Sequence, residues 1–409
     1  MVVDLTFELQ RKSAGALLES GIVRRIRFGM VGGGDGAFIG AVHRNAAALD
    51  NEIALVCGAF SSNPDRSRAS GARLHLAAGR CYSDYASMFA AEAALPADER
   101  MDFVAIVTPN HLHFPVAATA LRHGFHVLSD KPATMSLAEC RDLRDALAAS
   151  GLLYGLTHPY AAYPMIVEAA ERVRAGKLGT IRKVIVEYLQ GWLAEPVELH
   201  GNGQAAWRLD PARAGSSCCM GDIGVHAFHL AELVSGLRVT ELSAELTSVV
   251  AARKLDDDGT ALLRFDNGAR GVLVASQVCT GEENDLRLRI FGDKASLDWR
   301  QQEPNSLWIK HAHAPVELVR TASQGISVAA RAHARLPSGH PEGYLEAFAN
   351  LYRNFAATVR ARLDGDTRTA ALPRVPGIDA ALRGMAFIET VVAASHSQQK
   401  WHALPEVDV

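Results

Sequence analysis

Asp222 and His226 stand four residues apart in Gly221-Asp222-Ile223-Gly224-Val225-His226-Ala227-Phe228-His229. On a helix that spacing puts both side chains on one face. A carboxylate beside an imidazole can strip a proton from an alcohol. The imidazole titrates near neutrality, and the carboxylate can orient it and stabilise its charged form. Two other readings fit the same pair: an N-cap Asp followed by a core His, or two ligands of a metal. The metal reading needs a third and a fourth ligand, and no zinc-like spacing supplies them, so no metal is expected. Lys131, in Asp130-Lys131-Pro132, follows an apolar run and precedes a proline that fixes the turn. A lysine at a strand end can touch both a nucleotide ribose and a substrate hydroxyl; it can also be an ordinary solvated lysine. A third feature is the run Gly32-Gly33-Gly34-Asp35-Gly36-Ala37-Phe38-Ile39-Gly40-Ala41-Val42-His43. Glycines there let the backbone approach a pyrophosphate, and the helix that follows offers unpaired amides and a positive dipole end.

These residues need elements to hold them. Strands are expected at 26–31, 53–60, 103–107, 125–129 and 152–157. Helices are expected between and around them at 37–49, 64–77, 84–95, 111–123 and 136–150, with Asp84 as a cap and Ser136 with Glu139 as a capping box. Strict alternation of this kind predicts right-handed crossovers and a doubly wound parallel sheet, the Rossmann arrangement. Such a sheet binds its ligand at the carboxyl ends of the strands. The glycine turn, Thr108-Pro109-Asn110-His111-Leu112-His113 and Asp130-Lys131-Pro132 are three such ends.

Beyond residue 158 the pattern changes. A helix at 164–175 and a strand at 181–190 lead into a Gly/Asn-rich loop. A helix at 223–234 follows, then strands at 240–250, 260–266, 270–278, 286–292 and 295–299. Asp266-Asn267-Gly268 is a hairpin signal. The stretch 311–340 reads as irregular, and helices at 342–362 and 378–394 close the chain. The fold class is therefore α/β, a Rossmann sheet followed by an α+β domain with a large open, mostly antiparallel sheet. The divisions are 1–25 as an extension, 26–157 and 158–409. A bare sheet face of that size suggests cover by another subunit, in a homodimer or homotetramer.

With 48% hydrophobic and 21% charged residues, the composition is that of a globular chain rather than a disordered one. A net charge of −3, with both signs dispersed, gives no footprint for nucleic acid or an anionic membrane. The six cysteines lack paired metal spacing and read as reduced thiols of a cytoplasmic protein. Cys218-Cys219 reads either as a reactive pair or as two small residues in a tight turn. No apolar run reaches the roughly 18 residues of a membrane span. Asp4, Glu8, Arg11, Lys12 and Glu19 interrupt any signal-peptide core, and 6–20 reads as an amphipathic helical extension.

Taken in order, the glycine turn ending in Gly40-Ala41-Val42-His43, Thr108-Pro109-Asn110 with His113, Asp130-Lys131-Pro132, and Asp222 with His226 resemble the glucose–fructose oxidoreductase / inositol dehydrogenase / MocA family across residues 26–400. The resemblance implies an NAD(P)-dependent dehydrogenase or reductase acting on a secondary hydroxyl of a sugar, glycoside or inositol. It implies that Lys131 binds the nicotinamide ribose and the reacting hydroxyl, that Asp222 positions the substrate, and that His226 is the general base. Gly32, Gly34, Gly36, Ala37, Phe38 and Ile39 would face the pyrophosphate. Thr108, Asn110, His113 and Asp130 would line the rest of the cofactor site. Asp130 stands where the family usually has Glu, Ala37 takes the usual third-glycine place, and His229 stands where an acid is common. Tyr160, Tyr163, Gln190, Trp192, Arg208, His229 and His340 are the candidates for substrate contact, since aromatic faces and polar tips suit a carbohydrate. At the end of strand two, Ser61 and Ser62 replace the acid that holds the ribose of NAD, and Arg66 can pair with a 2′-phosphate. This favours NADP, although the serines also admit NAD. Two other activities share the expected fold. One is a redox-neutral enzyme with a retained cofactor, either a sugar–sugar oxidoreductase or one that cleaves glycosides through a keto intermediate. The other is a non-catalytic NAD(P)-binding regulator.

Overall fold

A computed structural model describes residues 24–365 and 375–407; the helix expected at 6–20 lies outside the described residues. β1 (Ile26–Gly32) is almost wholly buried, as an inner strand covered on both faces must be. β2 (Ile53–Ala59), β3 (Phe103–Val107), β4 (His126–Asp130) and β5 (Tyr154–Thr157) join it in one parallel sheet of order β2-β1-β3-β4-β5. A single parallel bridge between Gly58 and Cys81 adds the trace of one more strand outside β2. The chain winds to one side from β1 and to the other from β3. The crevice therefore opens between the carboxyl ends of those two strands, where the glycine turn and Thr108 sit.

The crossovers are α1 (Phe38–Ala48), α2 (Pro64–Arg73), α3 (Tyr85–Ala94), α4 (His113–Arg122) and α5 (Leu137–Ser150). Asn63, Asp84 and Ser136 cap α2, α3 and α5 by accepting from first-turn amides. The capping box at Ser136 is only half formed, because the Glu139 carboxylate accepts from the Met135 amide instead. The second helix stops at Arg73 rather than 77, because His75 turns into the left-handed region at φ 58°.

α6 (Pro164–Arg174) leads to β6 (Ile181–Leu189), the centre of a second sheet. Two short helices, α7 (Gly203–Arg208) and α8 (Pro211–Ala214), fill the loop that was expected to be irregular. α9 (Val225–Ser235) precedes β7 (Val239–Thr247), β8 (Asp258–Phe265), β9 (Arg270–Ser276), β10 (Asp285–Gly292), β11 (Ala295–Arg300), β12 (Ser306–His311) and β13 (Glu317–Arg320). α10 (Val328–Ala332), α11 (Tyr344–Leu363), α12 (Ile378–Ser395) and β14 (His402–Ala403) end the described chain. The nine strands run in the order β13-β12-β11-β10-β6-β9-β8-β7-β14, antiparallel except for β6 with β9. β12, β13 and α10 correct the expectation that 311–340 is irregular and that the strands end at 299. Their signals are weak: β13 has four residues, of which only Val319 is buried.

One face of this sheet is covered by helices. The other carries a row in register, Leu262, Val272, Ile185, Arg289, Asp298, Trp308 and Leu318. Leu262 is 44% and Trp308 40% exposed. α11 returns to the first sheet, where Phe348, Tyr352 and Phe355 join Phe28 and Phe103 in one cluster. Each such ring, once buried, contributes about 1.5–3 kcal/mol. No helix of the described residues is long and apolar enough to cross a membrane.

Candidate active site

The glycine turn is built by close approach. A Cβ on Gly32, where φ is 80°, would stand 2.3 Å from the Val107 carbonyl oxygen at the end of β3. A Cβ on Gly34 would stand 2.7 Å from the Phe60 carbonyl oxygen. Gly36 opens onto empty space. Gly40, not Ala37, supplies the close helix-to-turn contact, since its Cβ would fall 2.2 Å from the Gly33 carbonyl oxygen. The amide of Ala37 closes the turn on Gly34 at 3.0 Å. No side chain caps α1, so its first-turn amides, on Phe38 and Ile39, are left for a ligand. Thr108 Oγ1, at the neighbouring strand end, is buried without a partner among the described residues. An open cradle, uncapped amides and an orphaned hydroxyl fit a dinucleotide pyrophosphate.

His113 is a brace rather than a free contact. Its Nδ1 lies 2.6 Å from the Pro132 carbonyl and its Nε2 2.8 Å from that of Thr108, so it ties two strand ends together. Asn110 donates to the Ala214 carbonyl at 2.8 Å, a bond toward the second half of the chain. Ser61 accepts from the Asn63 amide at 3.2 Å. Ser62 and Arg66 are exposed, and Arg66 makes no ion pair with any described residue.

Lys131 reaches across to the second half of the chain. Its Nζ donates to the Asp222 carboxylate at 2.8 Å and to the Asp222 carbonyl. The other carboxylate oxygen accepts from Arg208 Nε at 3.2 Å and from Gln277 Nε2 at 2.9 Å. Burial disfavours the charged carboxylate, but Lys131 and Arg208 outweigh it and hold Asp222 well below the usual range. Asp222 is therefore a fixed anion between two cations. It sits in a π-helical turn, Met220–Gly224, that runs into α9. Asp256 holds this turn by accepting from the amides of Cys218 and Met220, both at 3.0 Å, and from Ser217 Oγ at 2.9 Å. Single π turns recur at functional sites. Asp222 does not cap α9, which rules out the N-cap reading.

Asp222 and His226 come to one place but do not bond as the spacing suggested. The partner of His226 is His158, with the two Nδ1 atoms 3.0 Å apart. Burial first, and then the charge of Lys131, pushes His226 well below the usual histidine range. Asp130 does not hold Lys131 directly. It accepts from Thr157 and lies 3.1 Å from His43 Nε2, whose Nδ1 is 2.7 Å from the Tyr352 hydroxyl. Burial works to raise the Asp130 carboxyl, but His43 and Thr157 bring it down to about 2.

Beside His226 runs a polar and aromatic wall. Tyr160 and Tyr188 meet through their hydroxyls at 2.5 Å, and Tyr188 donates to Asn284 Oδ1 at 2.7 Å. Gln190 donates to the same oxygen at 2.6 Å and accepts from Trp192 at 2.9 Å. The Arg208 guanidinium lies over Trp207 at 4.3 Å and near Trp192 at 5.9 Å. Tyr163 lies deeper, its ring against Trp299. His229 lies half-buried behind the site, stacked on His158. His340 stays exposed, and among the described residues its ring bonds only the nearby Pro337 carbonyl. The thiols of Cys218 and Cys219 are pushed well up by burial, which suits packing rather than reactivity. His158, Gln277 and Asn284 were not singled out from the sequence, and His43 was named only as the end of the glycine motif, without a role. Of these, only His158 had a readable signal, since it directly follows a parallel strand.

Fold and site together define an NAD-binding oxidoreductase built on a Rossmann sheet. Residues 26–158 match the oxidoreductase family with an NAD-binding Rossmann fold, and residues 166–298 match the GFO/IDH/MocA C-terminal domain. The chain belongs to the Gfo/Idh/MocA family. It is 31% identical over 383 residues to the uncharacterized oxidoreductase YfiI of Bacillus subtilis, covering 93% of this chain and 97% of that one. An inositol dehydrogenase homologue from Azotobacter vinelandii, solved with NAD+, is similar at 35% identity with a TM-score of 0.90, over 93% of this chain and 98% of that one. The same homologue with NADH and myo-inositol gives 34% identity and a TM-score of 0.88, with the same coverage.

Proposed function

We propose that this chain oxidises one secondary hydroxyl of a sugar, glycoside or inositol, or reduces the matching ketone. One observation carries the reading: Lys131, at the end of a Rossmann strand, is held 2.8 Å from Asp222, one turn before His226. The glycine turn and the first-turn amides of α1 would hold NAD(P)+, which would supply the hydride acceptor for the carbinol carbon. Lys131 binds the reacting oxygen and steadies the negative charge that grows as its proton leaves. Asp222, itself held by Arg208 and Gln277, keeps the Lys131 ammonium in place. His226 takes the hydroxyl proton at Nε2, which makes no bond with the described residues. The Tyr160, Gln190, Trp192 and Arg208 wall supports binding of a polyol, with rings for its carbon face and polar tips for its hydroxyls.

The cofactor is read from the end of β2. It carries no acid, the nearby Asp65 is paired with Arg68, and Arg66 makes no ion pair with the described residues, so a 2′-phosphate meets attraction rather than repulsion. The homologue holds NAD+ and NADH. We propose that this chain uses NADP at least as well as NAD. The division at residue 157 and association through the bare sheet face belong to the same proposal. The test is a panel of sugars, glycosides and inositols, myo-inositol first, followed at the reduced-nicotinamide absorbance band with both cofactors. Turnover of at least one polyol is expected. Silence across the panel with both cofactors contradicts the reading.

A further inference from the structure

His158 directly follows β5 and lies among the histidines of α9. Its ring is stacked on His229, 4.2 Å between centroids and 7° between planes. It stands across the ring of His226 at 5.0 Å and 86°. Both rings are buried. Two nitrogens 3.0 Å apart are hydrogen-bonded, so one of the two Nδ1 atoms carries the proton. A histidine base needs a partner that fixes which nitrogen is bare. Asp222 is not that partner, because its oxygens are taken by Lys131, Arg208 and Gln277.

We propose that His158 is the positioning residue of the base: its Nδ1 accepts the Nδ1 proton of His226 and leaves His226 Nε2 bare toward the substrate. This rests on His226 being the base. In this tautomer the proton of neutral His158 sits on Nε2, for which the described residues offer no partner. A neutral acceptor orients the ring without adding the negative charge a carboxylate would bring. The other titratable or charged groups facing the pair are Lys131, Asp222, Asp130, His229, Tyr160 and Tyr188.

The first test needs no substrate. The NAD+-loaded protein, labelled with 15N-histidine, is compared with its His226→Gln and His158→Gln variants to assign the signals at neutral pH. His226 should show a protonated Nδ1 and a bare Nε2, and His158 the reverse. The opposite pattern overturns the proposal. The second test is kinetic, on the polyol of the panel that turns over fastest. His158→Asn keeps an acceptor oxygen near the Nδ1 position and should stay within about tenfold of the wild-type kcat, while His158→Leu should lose about 10²- to 10⁴-fold with NAD+ affinity kept. His158→Asp should move the acid limb of kcat/KM upward by about one pH unit or more. Equal losses in the Asn and Leu variants, or an unmoved limb in the Asp variant, overturn the proposal. Full activity in His158→Leu with an inactive His226→Ala removes only the role of His158. Full activity in His226→Ala removes the base reading itself.

Discussion

Burial disfavours the charged imidazole of His226, and the charge of Lys131 lowers its pKa by more than Asp222 raises it. Burial and this charge keep His226 neutral, the form a base needs. The sign follows: oxidation loses its base only when pH falls through the lowered pKa of His226. kcat/KM for oxidation should therefore stay level down past the ordinary histidine value of about 6.5, with its acid limb below that. A pH profile whose acid limb centres at or above 6.5 contradicts this placement. At the other end of the crevice, Arg66→Ala should cut kcat/KM for NADP by about tenfold and leave NAD unchanged, in line with the loss of one charge-assisted contact. Steady-state kinetics with both cofactors check it; equal effects on both contradict a 2′-phosphate contact. That Lys131 and Asp222 meet one turn before His226 was legible from the order of the motifs that carry them. Their bonding was not. The Asp222 carboxylate is turned toward Lys131 by a π turn that Asp256 holds from a distant part of the chain, and four-residue spacing carries no trace of that.

The parallel strands were legible almost to the residue, because full burial leaves uninterrupted apolar runs. The outermost pair at one end of the second sheet, β12 and β13, was not, since a short strand with one buried face leaves too few apolar positions to read. The glycine turn lies between these cases. Its length disguised which glycine packs the helix, and backbone proximity makes that Gly40. Gly40→Ala forces a Cβ to within 2.2 Å of the Gly33 carbonyl oxygen. Overpacking of this kind costs about 1–3 kcal/mol. The variant should melt lower and bind NAD+ about tenfold or more weakly in a fluorescence titration. Gly36→Ala meets nothing within 4 Å and bears only the strain of φ 79°, so it should lose less. Wild-type affinity in Gly40→Ala contradicts the assigned contact.

α11 ties the far end of the chain to the first sheet, and Tyr352 carries that tie through His43 to Asp130, next to the lysine. Composition and alternation pointed to two sheets but not to this return, because no local pattern records which sheet a late helix covers. The bare face of the second sheet presents Leu262 in its registered row, so the protein should sediment as a dimer or tetramer. Leu262→Glu should shift it toward the monomer in analytical ultracentrifugation; a monomeric wild type, or an unmoved variant, contradicts association through that face. The central claim joins both halves of the chain in one reaction, and its most direct test is reduced-nicotinamide formation from the polyol panel by the wild type and by His226→Ala. The wild type should turn over at least one polyol, and His226→Ala should lose about 10²-fold or more in kcat while still binding the cofactor. Wild-type turnover in His226→Ala would contradict the account.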